Sequence, residues 1–153
     1  MDKPVEYISQ SVFDKLNFIR PTFGIVVDGY CKGNPGVGGY RGVDLHDGKI
    51  LFKRNFQYTT NNLVEFIGIV HAQMYIKKTF ESYSEIYSDS QCAISWFRTN
   101  NVKSEIDSIK GKDVLNDLNR CLLWLSEQKK FPASVLKWET KEWGENPADF
   151  GNK

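Results

Sequence analysis

Cysteine, histidine and long apolar runs are all scarce in this chain of 153 residues, and each scarcity removes a class of protein. The three cysteines, Cys31, Cys92 and Cys121, are odd in number and widely scattered. That pattern suits reduced thiols in a cytoplasmic protein rather than a disulfide framework. No two of them have metal-ligand spacing, and His46 and His71 are the only imidazoles, so a zinc centre is not expected. Apolar runs such as Ile25 to Val27 are far too short to cross a bilayer, and no membrane association is expected. Met1-Asp2-Lys3-Pro4 shows no basic stretch leading into an apolar one, so no secretory signal is read. An excess charge of one sign is missing too. With a net charge of +1, any nucleic-acid binding has to rest on local patches or on bound cations.

What remains is the composition of an ordinary globular domain, 41% hydrophobic and 25% charged. Residues 1–20 are read as an N-terminal extension, with Val12, Leu16 and Ile19 at helical spacing behind Ser9 or Ser11 as a cap, and residues 21–153 as one domain. Thr22 to Asp28 is rich in β-branched and aromatic residues, as a buried strand would be. Gly33-Asn34-Pro35-Gly36 is a turn signal, Gly38 to His46 and Lys49 to Thr59 alternate with period two, and Asp47-Gly48 joins them as a hairpin. A helix capped by Asn61 or Asn62 then runs to about Lys78, apolar on two opposite sides and therefore sandwiched. Glu85 to Ser88 reads as a strand, with a helix beginning near Ser90. Val114 to Leu125 reads as an amphipathic helix, and Ser134 to Thr140 as a last strand. Asn146-Pro147-Ala148 resembles a helix start. This order describes an α/β fold: a five-stranded mixed sheet, three strands antiparallel and two more parallel, with helices on both faces.

The acidic residues at element ends carry the chemistry. Asp28 is expected to close the first strand and Asp89 the fourth; if those strands are parallel neighbours, both carboxylates reach the same sheet edge. Glu65 lies on a protein-facing stripe of the long helix, and Asp149 near the start of the last one. Four converging carboxylates repel one another, and no Arg or Lys within these motifs is adjacent to neutralise them. A pair of divalent cations with a taste for oxygen, Mg2+ or Mn2+, answers that repulsion, and two such ions suit phosphodiester hydrolysis. Singly, each residue has a plainer reading. Asp28 before Gly29 also suits a turn, Asp89 a helix cap, and Asp149 a favourable partner for a helix dipole.

Together the motifs resemble those of type 1 ribonuclease H. The resemblance runs from about Thr22 to Lys153 on Asp28-Gly29-Tyr30-Cys31-Lys32-Gly33-Asn34-Pro35-Gly36, Thr59-Thr60-Asn61-Asn62-Leu63-Val64-Glu65, Asp89-Ser90-Gln91 and Asn146-Pro147-Ala148-Asp149. It implies a ribonuclease H-like fold and an endonuclease cutting the RNA strand of RNA–DNA hybrids, with little regard to sequence. It further implies two Mg2+ ions, with Mn2+ as a substitute, held by Asp28, Glu65, Asp89 and Asp149. Gly29, Cys31, Gly33, Asn34, Asn61, Asn62 and Gln91 would meet the RNA strand, and Thr60 a DNA phosphate. No protein partner is called for, and a monomer is expected.

Two departures from the family pattern stand out. The loop Lys141-Glu142-Trp143-Gly144-Glu145 has no histidine, where the family usually carries one before its last acidic residue, and Glu145 is the candidate to take over part of its role as an acid or extra ligand. The segment from Arg98 to Lys112 mixes Lys103, Lys110 and Lys112 with Glu105 and Asp107, too short and too mixed for the basic protrusion many members have. Weaker hybrid binding that falls steeply with salt is expected. Trp96 and Phe97 suit either the core or a DNA strand, while Trp124 and Trp138 are assigned to the core. Three other readings compete. A glycine-rich phosphate loop should lead into a helix, whereas Gly33 to Gly39 leads into a hairpin. A non-catalytic hybrid-binding module would not need four carboxylates. A recombinase or junction resolvase of the same superfamily would not, as a rule, carry the asparagine-rich stretches.

Overall fold

Alternating and β-branched segments separated by Gly-rich turns become the strands, and two-faced apolar segments become the helices that cover them. The computed structural model describes residues 4–150, so the outer ends of both expected units (1–3 and 151–153) lie outside the described residues. In chain order the elements are α1 (Gln10–Asp14), β1 (Ile25–Lys32), β2 (Gly36–Asp44), β3 (Ile50–Thr59), α2 (Asn61–Thr79), β4 (Glu85–Ser88), α3 (Gln91–Thr99), α4 (Lys112–Glu127), β5 (Ser134–Lys137) and α5 (Thr140–Trp143). The sheet order is β3-β2-β1-β4-β5, with β1–β2 and β2–β3 antiparallel and β1–β4 and β4–β5 parallel. The expected mixed five-stranded sheet is present. Helices α2, α3 and α4 pack on one face around Ile25, Val27, Phe66, Ile69 and Ile86. The other face is covered by Trp138, Val12, Phe13, Leu16 and Trp143, from the last strand's exit and the one-turn helices.

Several boundaries differ from the sequence reading, each for a local reason. Asp28 does not close β1, which runs on to Lys32 because β2 continues to pair with it. The parallel ladder to β4 does stop at Val27–Ser88. Asp28 and Asp89 are thus each the first residue beyond the last parallel pair. Neither Asn61 nor Asn62 caps α2; Thr60 does, its hydroxyl accepting from Leu63 N–H at 3.3 Å. Ser90 caps α3 through Ala93 N–H at 3.1 Å, which relieves Asp89 of that task.

The expected helix at Asn146 does not form. The Asn146 side-chain oxygen takes Ala148 N–H at 2.8 Å and its amide donates to the Val27 carbonyl at 3.1 Å, fixing a turn against β1. The unexpected α5 lies just before it. In the N-terminal segment α1 is a single turn, and Ile19 is exposed rather than packed. The segment attaches instead through an edge pairing, Ile8 N–H to Gly48 carbonyl at 2.9 Å and Ile50 N–H to Glu6 carbonyl at 2.8 Å.

Trp96 and Trp138 are buried, and Phe97 and Trp124 pack against the main core. His46 is exposed, its ring stacked on Phe23. His71, midway along α2, stacks on Phe52 at 4.0 Å and shares a 2.7 Å hydrogen bond with the Tyr40 hydroxyl. Burial pushes its imidazole down from 6.5 to about 4. As pH falls, the unfolded chain takes up this proton near its ordinary value while the folded protein resists until about 4. Stability owed to the neutral ring is therefore intact above the ordinary value and is lost on the way down to the folded one, by about 3 kcal/mol in full. In urea unfolding at pH 7 and pH 4.5, His71→Asn should lose about 2 kcal/mol less than the parent protein on acidification. Equal losses would show that His71 is not the acid-sensitive group.

Candidate active site

Three of the four carboxylates meet where β1, β4 and α2 converge. Asp28, Glu65 and Asp89 each offer an oxygen within 4.8 Å of the other two. Asp28 is 0% exposed and Glu65 2%, a burial that acidic side chains tolerate only with strong compensation. One backbone group serves both: Gly29 N–H donates to Asp28 Oδ1 at 3.0 Å and to Glu65 Oε1 at 3.0 Å. The close approach of helix to strand depends on Gly29 lacking a side chain. A Cβ there would lie 2.8 Å from Val64 Cγ2 and 3.3 Å from Glu65 Cδ. Asp89 follows β4 directly, and its carbonyl accepts from Lys137 Nζ at 2.8 Å.

Asp149 is not part of this triad; the turn after α5 carries it. Its carbonyl and that of Ala148 accept from Arg41 Nη2 and Nε at 2.9 and 2.8 Å. The Arg41 guanidinium lies over the Phe150 ring at 4.5 Å. Burial lowers its pKa, while the charges of Asp149 and then Asp28 oppose that shift. The cations near the acidic residues come from outside the motifs. Arg41 is outside every motif in sequence but faces Asp28 across the β1–β2 ladder, and Lys137 arrives from β5. The hairpin itself was the signal for Arg41, since a tight turn at Gly33–Gly36 sets the pairing of Asp28 with residue 41. Glu145 is exposed in the loop before Asp149.

Hard carboxylate oxygens, two of them on buried side chains, are the donor set that oxygen-seeking divalent cations take. The residues present fit such an ion. With like charges this close, a cation between them removes repulsion that the protein would otherwise carry.

The other candidates lie on the elements around the triad. Gly29 is buried and works through its N–H on the carboxylates. Cys31 is half-buried, its thiol directed at the Thr59 carbonyl at 3.2 Å, and burial raises its pKa. Gly33 adopts a φ of 84° in the β1–β2 turn. The Asn34 side-chain oxygen accepts Asn61 N–H at 2.8 Å, joining that turn to the start of α2, where Thr60, Asn61 and Asn62 follow one another. Gln91 is exposed in the first turn of α3, two residues after Asp89.

Fold and acidic site together define an α/β protein of the ribonuclease H-like class. The RNase H family model matches residues 22–139, a span that holds Asp28, Glu65 and Asp89 and stops short of Glu145 and Asp149. The chain belongs to the RNase H family. It is 30% identical over 104 residues to ribonuclease H of Thermoanaerobacter sp. (strain X514), a match covering 61% of this chain and 66% of that relative, just under two thirds. With ribonuclease H of Ehrlichia ruminantium (strain Gardel) it shares 30% over 140 residues, 91% of this chain and 88% of the relative. With that of Actinobacillus succinogenes it shares 34% over 127 residues, 78% and 77% of the two chains.

The Gly29 clamp makes a direct prediction. Gly29→Ala should fold with a lowered Tm and bind Mn2+ about tenfold more weakly in calorimetric titration, because Glu65 is forced away from Asp28. Unchanged affinity would show that the helix has room to give.

Proposed function

We propose that this chain is a hydrolase that cuts the RNA strand of RNA–DNA hybrids internally, with little sequence preference, using two Mg2+ ions for which Mn2+ can substitute. The observation that carries the reading is the triad of Asp28, Glu65 and Asp89 within 4.8 Å, two of its members buried, in a chain of the RNase H family. Asp28, Glu65, Asp89 and Asp149 would hold the ions. The ions, when bound, supply Lewis acidity at the scissile phosphate and lower the pKa of water. Water attacks phosphorus in line with the O3′ bond; that bond breaks, leaving a 5′-phosphate and, once O3′ has taken a proton, a 3′-hydroxyl. Glu145, exposed beside the Asp149 turn, handles protons at this stage.

Recognition follows from what the chain presents around the triad. Asn34, Asn61, Asn62 and Gln91 offer amides that both donate and accept, the pairing a 2′-hydroxyl needs, with the backbone at Gly29, Cys31 and Gly33 beside them. Thr60 adds a contact to a phosphate of the DNA strand. Residues 21–153 form the catalytic unit and 1–20 an extension, whose described part, 4–20, is laid on the hairpin side. We place the protein in the cytoplasm, which the free thiols of Cys31, Cys92 and Cys121 suit, and read it as a monomer. Among the described residues no helix is long and apolar enough to cross a membrane.

A labelled hybrid incubated with Mg2+ tests the proposal. Short RNA pieces that vanish with chelator, and on RNA–DNA rather than DNA–DNA duplexes, are expected. Asp28→Asn and Asp89→Asn should fold and lose roughly a thousandfold or more in rate, the scale on which catalytic metal ligands act. A hybrid that is shifted but never cut would instead make the protein a binding module.

A further inference from the structure

Asp149 sits in a stretch that no regular element stabilises: Asn146 to Phe150 lies outside every helix and strand. Its first residue is anchored, since the buried Asn146 donates to the Val27 carbonyl, one residue before Asp28. Asp149 N–H closes the turn on the Asn146 carbonyl at 3.0 Å, and the carbonyls of its last residues are gripped by the Arg41 side chain. Arg41 donates from Nε to the Ala148 carbonyl at 2.8 Å and from Nη2 to the Asp149 carbonyl at 2.9 Å. The Phe150 ring closes over the same guanidinium at 4.5 Å and rests on Tyr30 at 5.1 Å. Two adjacent carbonyls bound by one planar fork fix position and orientation together, which a lysine ammonium, a point charge on a flexible stem, does not do.

Arg41 is itself fixed relative to the triad. It pairs with Asp28 across the antiparallel ladder, so the two Cα atoms are about 5 Å apart and both side chains leave the same face. Whatever Arg41 grips is therefore held at a set distance from Asp28. We propose that Arg41 is the positioning residue for Asp149: its guanidinium does the work of a missing helix, docking the Asn146–Phe150 turn so that Asp149 faces the metal site. This rests on the reading of Asp149 as a metal ligand, and it adds a residue to the machinery that no acidic motif contains. A competing role for the same cation is to damp the negative charge of the cluster, and the two make opposite demands. If Arg41 only damped charge, removing it would strengthen cation binding; if it positions Asp149, removing it weakens binding.

Arg41→Lys and Arg41→Met separate these, the first keeping the charge and losing the fork, the second losing both. In the metal-free protein, amide exchange over residues 145–150 should accelerate at least tenfold in each variant while exchange in β1 and β4 stays at the parent rate. In calorimetric titration with Mn2+ alone, both variants should bind about tenfold more weakly than the parent. Because Arg41 acts through Asp149, Arg41→Met combined with Asp149→Asn should bind Mn2+ within twofold of Asp149→Asn alone. Tighter binding by Arg41→Met, additive losses in the double variant, or unchanged exchange in 145–150 would each overturn the proposal. None of these readouts uses a nucleic acid, so a chain that fails to cut hybrids would defeat the proposed function and leave this inference standing or falling by itself.

Discussion

Asp28 and Glu65 share one backbone N–H, that of Gly29, and most of the architecture around the site is arranged so that this sharing is possible. Two buried carboxylates brought to one donor require a helix to come unusually close to a strand. That approach needs a glycine on the strand, a helix start set by the Thr60 cap, and a helix buried enough to be pressed into the sheet. Helix α2 meets the last condition with residues such as Leu63, Phe66, Ile69 and Ile76 all buried. The apolar burial of this one helix is the force that sets acid against acid.

Around that core of repulsion the positive charges are placed with economy. Lys137 and Arg41 reach the site from opposite sides of the sheet order, β5 and β2, with β1 and β4 between them. Their hydrogen bonds go to the main-chain carbonyls of Asp89, Ala148 and Asp149. Each cation thereby fixes the path of the chain that carries an acid and at the same time lends its field to the cluster. A half-buried guanidinium also keeps its charge where an ammonium would more readily give it up, because its intrinsic pKa is so high.

How much of this is legible in the sequence depends on whether the cause is local. Strand β4 was readable to the residue, since Glu85 to Ser88 is a short β-prone run between turn signals. The first hairpin, the sandwiched helix and the three clustered carboxylates follow from periodicity, turn chemistry and the family motifs. The cap of α2 lies one residue before the position the sequence suggests, because Thr60, Asn61 and Asn62 are all good caps by residue type, and in the fold the Thr60 hydroxyl takes Leu63 N–H while Asn61 N–H goes to Asn34. The Asp149 turn reads as a helix in the sequence because Asn-Pro-Ala is a sound helix start in isolation. Its carbonyls are claimed by Arg41, a residue more than a hundred positions earlier, and no local pattern reveals such a claim. Arg41 itself was recoverable only by counting across the hairpin.

The bond from the Asn34 side chain to the Asn61 amide has a mechanical meaning beyond the choice of cap. It ties the tip of the first hairpin to the head of the long helix, so the Gly33 turn and the Asn61–Asn62 pair are held in register with each other across 27 residues of sequence.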